Sequence, residues 1–404
     1  SASMEQFFGM STAANAVSVV SHEAGLLFFD GLIWTEMSHK ADAEEVLHRI
    51  LREGFNEAIA SLNGDFACAW LDKKSLSVYL ARDRFGKRPL YYCKGTDSFF
   101  AVASQPGALL RIDGVSREVN MEFAIRYGAM HYRMIDNDLE SSPYRSIQQV
   151  APGQIVKIDR KSQVSKFRFW RMTAQPEFDE ADRDVLADEY RHLLLSSVQS
   201  RIKRLSRPIY TLSGGMDSSS VLASAVALSE GRQPAISSVY EDSTYDERNE
   251  ISDMLQSHVS EWSQVEISNQ LDVVDEVDKL IAIHDEPVAT ATWLSHRRIC
   301  QRVSEAGYTA VIGGLGGDEL NVGEYEYFPF YFADLAARGK ASVLELEIGE
   351  WVRLHDHSIF KKSVEIARES MSRVTDSSVL GRNLVDPSRI FKYQSVLSEE
   401  FHYL

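Results

Sequence analysis

The sequence is poor in cysteine: Cys68, Cys93 and Cys300 are the only three in 404 residues, and their spacing matches no metal-ligand motif. An odd, sparse count argues against a cysteine metal site and suits a reducing compartment, so the cytoplasm is the expected location. No apolar run reaches the roughly 18 residues that suggest a membrane helix. The first residues lack the basic start and apolar core of a signal peptide, and Ser1–Ser3 ahead of Met4 read as a cloning remnant. Net positive charge is missing too. Lys+Arg 43 against Asp+Glu 59 leaves −16, spread along the chain rather than gathered in a tail. That balance argues against a general nucleic-acid or membrane surface. Internal repeats and low-complexity segments are absent. What remains is 44% hydrophobic and 25% charged residues, a globular composition, over a length that suits two domains of ordinary size.

The two halves have different rhythms. Residues 5–172 carry short β-rich segments, "AGLLFFDGLIW", "GDFACAWLD", "LSVYLARD", "PLYYCKG", "FFAVAS" and "GQIVKID", separated by turn residues. Two helical patterns interrupt them, "ADAEEVLHRILREGF" and "NMEFAIRYGAM", with apolar residues at three- and four-residue steps. This is the content of an α+β domain built on antiparallel sheet. Residues 180–404 begin with a long helix, "EADRDVLADEYRHLLLSSVQSRIKRL". Strands "IYTL", "AISSVY", "SQVEIS" and "AVIGGL" then alternate with helices. Such alternation predicts an α/β doubly wound parallel sheet covered on both faces. The polar segment "TAQPEFDEADR", broken by Pro176, is the expected linker.

Within "IYTLSGGMDSSSVLASAV", a buried strand turns abruptly into Ser213, Gly214, Gly215, Met216, Asp217 and Ser218, then into a helix. Glycines let the backbone turn tightly and let a ligand approach, while the helix start offers unpaired N–H groups and a positive dipole end. The loop is therefore an anion cradle suited to phosphate. No lysine closes it, which excludes the P-loop of kinases and GTPases. About 100 residues later, "AVIGGLGGDELNVGEY" repeats the theme of a strand running into glycines and then acids. Two carboxylates from separate strand ends can share a magnesium ion, the usual neutraliser of a leaving pyrophosphate.

The first loop resembles the SGGxDS pyrophosphate loop of the ATP pyrophosphatases, and the second resembles the SGxGxDE segment of asparagine synthetase and its relatives. The N-terminal half is similar to the family's glutamine amidotransferase domain, an N-terminal-nucleophile-hydrolase-like sandwich. "LNGDFACAWLDKKSLSVYLARDRFGKRPLYY" follows the pattern GDFAFAxWD…ARDRxGxxPLYY, and "FAVAS" and "VAPGQIVKID" match later strands. The resemblance implies ATP and magnesium as cofactors. It implies that Leu212, Ser213, Gly214, Gly215, Asp217, Ser218, Val239 and Gly314 bind ATP or pyrophosphate and that Asp217 and Asp318 hold the metal. "YEDSTYDERNE" and "IHDEPVATATW" match family segments near the substrate, which makes Asp246, Glu247, Asp285 and Glu286 candidate substrate contacts.

The sequence departs from the family in three places. The amidotransferase nucleophile is a cysteine directly after the initial methionine; here Met4 is followed by Glu5 and Gln6, and Cys68 lies in a strand pattern where core packing is the plain reading. The glutamine-binding segments are not recognisable, so no glutaminase activity is expected. Leu315 stands where asparagine synthetases carry Glu and β-lactam synthetases carry Tyr. The family's C-terminal lysine motif has no match either: Lys361, Lys362 and Lys392 read as surface residues. Either the chain continues beyond Leu404 or the site is completed differently. His39, His284 and His296 read as solvated or packed side chains.

The resemblance thus implies an AMP-forming amide ligase that activates a carboxylate as an acyl-adenylate. Without glutaminase, the amine comes from ammonia, a second molecule or the substrate itself. An internal amine enjoys a high effective concentration. The favoured expectation is a lasso-type peptide macrolactam cyclase acting on a precursor peptide beside a leader-processing protease. The alternatives are an ammonia- or amine-dependent synthetase for a small acid or sugar acid, and a catalytically silent binding subunit. The reading gives no nucleic-acid or membrane partner and leaves the oligomeric state and the catalytic residue open.

Overall fold

The computed structural model describes residues 17–34, 41–96, 99–130, 138–173, 182–242, 246–268, 270–288, 290, 292–321, 323, 327–354 and 362–376. Most of the expected linker, with Pro176, lies outside these residues, as do His39, Lys361 and Lys392.

The N-terminal half contains strands β1 (Ser18–His22), β2 (Gly25–Ile33), β3 (Gly64–Asp72), β4 (Ser77–Arg82), β5 (Tyr91–Lys94), β6 (Phe100–Ala103), β7 (Ile147–Gln149), β8 (Gln154–Ile158) and β9 (Val164–Arg168). Its helices are α1 (Asp42–Glu53), α2 (Phe55–Ser61), α3 (Pro106–Leu109) and α4 (Met121–Met130). A six-stranded sheet runs β1-β2-β3-β4-β8-β9 and a three-stranded sheet runs β6-β5-β7, all pairs antiparallel. Register follows burial: Phe29 lies opposite Cys68, and both point into a core that α1 and α2 close with Val46, Ile50 and Ile59. The other face meets the smaller sheet through Leu80, Val156 and Tyr92, so the expected sandwich is present. The helical pattern after Lys40 is two helices, not one. Gly54, at φ 89, breaks it, and Phe55 starts α2.

The C-terminal half contains α5 (Arg183–Ile202), β10 (Pro208–Thr211), α6 (Met216–Ser229), β11 (Gln233–Tyr240), α7 (Ser252–His258), β12 (Val259–Ile267), α8 (Val273–His284), α9 (Thr292–Glu305), β13 (Ala310–Ile312), α10 (Gly317–Asn321), α11 (Phe328–Ala337), α12 (Ala341–Leu354) and α13 (Val364–Thr375). The sheet order β12-β11-β10-β13 is parallel throughout. The two central strands, β10 and β11, are covered on both faces. Tyr210, Leu212 and Ala235 pack with Val198 of α5 and Leu222 of α6, while Ile209, Ile236 and Val265 pack with Ile299 and Val303 of α9. Doubly wound sheets place ligands at the C-terminal strand ends, where the order reverses direction. Here that point lies between β10 and β13, neighbours in space but about 100 residues apart in the chain. The last three helices form their own core around Phe332, Ile348 and Trp351.

Candidate active site

The loops after β10 and β13 meet because their strands pair, with Tyr210 opposite Ile312. In the first loop, the Ser213 and Ser218 hydroxyls lie 2.9 Å apart, and the Gly215 N–H donates to Ser213 Oγ at 3.3 Å. Gly215 is the N-cap of α6, so the first-turn amides of a 14-residue helix face the cradle. Gly214 allows a close approach: a β-carbon there would lie 2.9 Å from Cβ of Glu250. Its N–H donates to Glu247 Oε2 at 3.0 Å, so a protein carboxylate already sits on an amide suited to a phosphate oxygen.

The second loop wraps Asp217. A β-carbon at Gly317 would fall 2.2 Å from the Asp217 carboxyl carbon, and one at Gly314 would fall 2.5 Å from the Ser218 amide nitrogen. Gly323 makes the matching approach to Asp318, 2.2 Å from Oδ1. Asn321, one turn after Asp318 on α10, donates weakly to Asp217 Oδ1 at 3.5 Å and to the Tyr190 hydroxyl oxygen at 3.2 Å. The Asp217 carboxyl is held above its ordinary range, first by burial and then by the facing Asp318 charge. A cation between the two carboxylates would relieve that charge. Two carboxylates offer hard oxygen ligands, and with phosphate and water as further ligands they would fit magnesium. Among the described residues no group of three or more His, Cys, Asp or Glu side chains converges.

The remaining candidates fall in different places. Leu212 is buried, its N–H donates to Ile236 and its carbonyl accepts from Ser237 Oγ, so its polar groups serve the sheet. Val239 lines a cavity of about 290 Å³ with Tyr240, Glu241, Arg248, Gln264 and Glu266, at the ends of β11 and β12. Asp246 is paired with Arg248 at 2.7 Å. Asp285 and Glu286 lie in the turn between α8 and α9, and the N-terminal half engages both. Gly107 N–H donates to Asp285 Oδ2 at 3.0 Å, and the Tyr91 hydroxyl donates to Glu286 Oε1 at 2.9 Å. Tyr144 donates to the Asp285 carbonyl at 2.9 Å and Gln105 to the Ile283 carbonyl at 2.6 Å. Lys362 is not the plain surface lysine the sequence suggests. It lies 5.1 Å over the Trp351 ring, and burial pushes its ammonium down to about 8.

Sequence reasoning missed Asn321, Gly317 and Gly323. The first could have been found by its i+3 spacing from Asp318 on a short helix; the glycines needed the fold. Of the cysteines, Cys68 in β3 and Cys93 in β5 are buried, with thiols pushed up to about 12 and about 11 by burial. Cys300 is exposed on α9.

Known proteins give the geometry a family. The family described as asparagine synthase matches residues 189–394, just over half of the chain. The chain belongs to the asparagine synthase family. Residues 34–170 match the family described as glutamine amidotransferase domain, which covers the antiparallel half. Among curated relatives, asparagine synthetase [glutamine-hydrolyzing] 3 of Bacillus subtilis is 24% identical over 72% of this chain and 48% of its own length. The human asparagine synthetase [glutamine-hydrolyzing] is 28% identical over 46% of this chain and 32% of its own. The chain thus spans about half or less of these relatives. A solved glutamine phosphoribosylpyrophosphate amidotransferase from B. subtilis aligns at 14% identity over 53% of this chain and 46% of its own, with a TM-score of 0.23. In this family member, no helix among the described residues is long and apolar enough to cross a membrane.

Proposed function

We propose that this asparagine synthase family member is an ATP-dependent, AMP- and pyrophosphate-forming amide ligase without glutaminase activity. Within that class, we propose a lasso-type peptide macrolactam cyclase. The observation that carries the reading is the convergence of the Ser213–Ser218 cradle and Asp318 at the ends of paired strands β10 and β13. The α6 amides and the Ser213 and Ser218 hydroxyls, 2.9 Å apart, would hold the pyrophosphate of ATP as a substrate carboxylate attacks the α-phosphorus. Magnesium between Asp217 and Asp318 would supply charge neutralisation of the departing pyrophosphate. An amine then attacks the activated carbonyl, its proton is released, and AMP leaves. Most of the acceleration in such a reaction comes from alignment and fixed charge.

The missing glutaminase is supported by thiol chemistry. Catalytic cysteines need an accessible, low-pKa thiolate. Both cysteines of the antiparallel half are buried with raised thiols, and Cys300 belongs to the other half. An amine within the substrate removes the need for ammonia and gains effective concentration. Incubation with MgATP and a peptide carrying a free N-terminus and an internal Asp or Glu tests this. The cyclase reading expects a product one water lighter, with one AMP per turnover. Turnover only with small acids plus added amine would contradict the cyclase but keep the ligase.

A further inference from the structure

The site has an apolar rim. Leu315 is 87% exposed and Met216 82%, the two most exposed large hydrophobic residues among those described; Leu320 is 61% exposed. Their placement is not scattered. Met216 immediately precedes Asp217, Leu315 stands at the apex of the glycine turn that wraps Asp217, and Leu320 precedes Asn321. Gly316, at φ +96 with open space where a side chain would go, sets that apex. A solvent-facing loop around phosphate groups would ordinarily be polar, and three exposed apolar residues set next to Asp217, Gly314 and Asn321 in the chain mark a ligand surface. The adenine ring is one possible occupant. However, the cavity lined by Val239, Tyr240 and Gln264 lies on the β11–β12 side of β10, whereas Leu315 follows β13 on the opposite side. That division leaves the rim to the other substrate.

We infer that Leu315, Met216 and Leu320 select an acid that carries hydrocarbon next to its carboxyl group, rather than a small polar acid. The inference rests on the ligase reading above. The rim packs on the hydrocarbon while the carboxylate reaches the α-phosphorus over Asp217.

Acid-dependent ATP–pyrophosphate exchange, run with straight-chain monocarboxylic acids of graded length and with aspartate, tests it. MgATP affinity is measured in parallel by calorimetry. Exchange should rise with chain length by up to about fourfold per methylene buried, with aspartate below the longer acids. Leu315→Asn and Leu320→Asn should flatten that slope and leave MgATP affinity unchanged, while Leu315→Met should keep the slope. A flat series in the native protein, an unaltered slope in both polar variants, or variants that weaken MgATP binding instead would overturn the inference. Exchange absent with these acids but present with a carboxylate-bearing peptide would overturn this inference and keep the ligase reading; exchange absent with the peptide as well, despite MgATP binding, would remove both.

Discussion

Asp285 accepts a hydrogen bond from the Gly107 amide at 3.0 Å, joining residues 178 apart and tying the two halves of the chain together. The contact leaves no space: a β-carbon on Gly107 would fall 2.4 Å from Asp285 Oδ2. Asp285 itself is left-handed at φ 58, so the turn after α8 is bent toward this partner. Buried Glu276 on α8, paired with Arg297 and Arg298 of α9, fixes the two helices flanking that turn. Because α9 leads into β13, its N-terminus lies on the same edge as the cradle, where Ser295 meets the Tyr240 hydroxyl at 3.1 Å. The antiparallel half therefore braces the turn between α8 and α9.

Gly107→Ala should break this brace. The expected cost is about 1–3 kcal/mol, read as a lower urea midpoint. Tyr91→Phe, which removes one hydrogen bond to a carboxylate, should cost about 1.5 kcal/mol. An unchanged midpoint for Gly107→Ala would mean that the halves are not joined here.

The brace should also be pH-dependent. Burial raises the Glu286 carboxyl above its ordinary range, and the Tyr91 hydroxyl and Arg82 offset this only in part. The folded protein then holds the proton more tightly than the unfolded chain. Its contribution is complete below the unfolded value and is lost as pH rises through the folded one. Relative to Glu286→Gln, which cannot titrate, the native protein should lose stability as pH rises from about 4 to 7. Urea midpoints of both proteins across that range give the comparison; a constant difference would contradict the assignment.

Glu247 sits on the Gly214 amide that a phosphate oxygen would use. Removing it in Glu247→Ala should free the donor and tighten MgATP binding by a few-fold, about 1 kcal/mol. Calorimetric titration measures this directly. Weaker binding would instead assign Glu247 a direct role toward the bound substrates.

Thiol reactivity follows from burial. Native protein treated with iodoacetamide should be modified at Cys300 quickly, with Cys68 and Cys93 protected until unfolding. Fast labelling of Cys68 would contradict its burial and count against the proposed absence of glutaminase.

Most of the architecture was legible because its signals are local. The four parallel strands read as short segments alternating with helical patterns, and glycines follow β10 and β13 where the chain must turn sharply. Strands β1, β7 and β9 were not legible. β7 has three residues, too few for a period, and β9 is exposed at all five positions, so no buried face marks it. The cradle and Asp318 were readable as motifs. What Asp285 and Glu286 touch was not, because Gly107 and Tyr91 lie almost 180 and 195 residues away. Lys362 looked like a surface charge because nothing in the sequence shows that Trp351 lies beneath it.

The central claim is that Asp217 and Asp318 form one magnesium site for ATP activation. The most direct measurement is magnesium-dependent ATP–pyrophosphate exchange, driven by a carboxylate-bearing peptide, in the native protein, Asp217→Asn and Asp318→Asn. The account predicts that each variant loses on the order of a hundredfold or more, with unchanged urea midpoints. Wild-type exchange in either variant would contradict it.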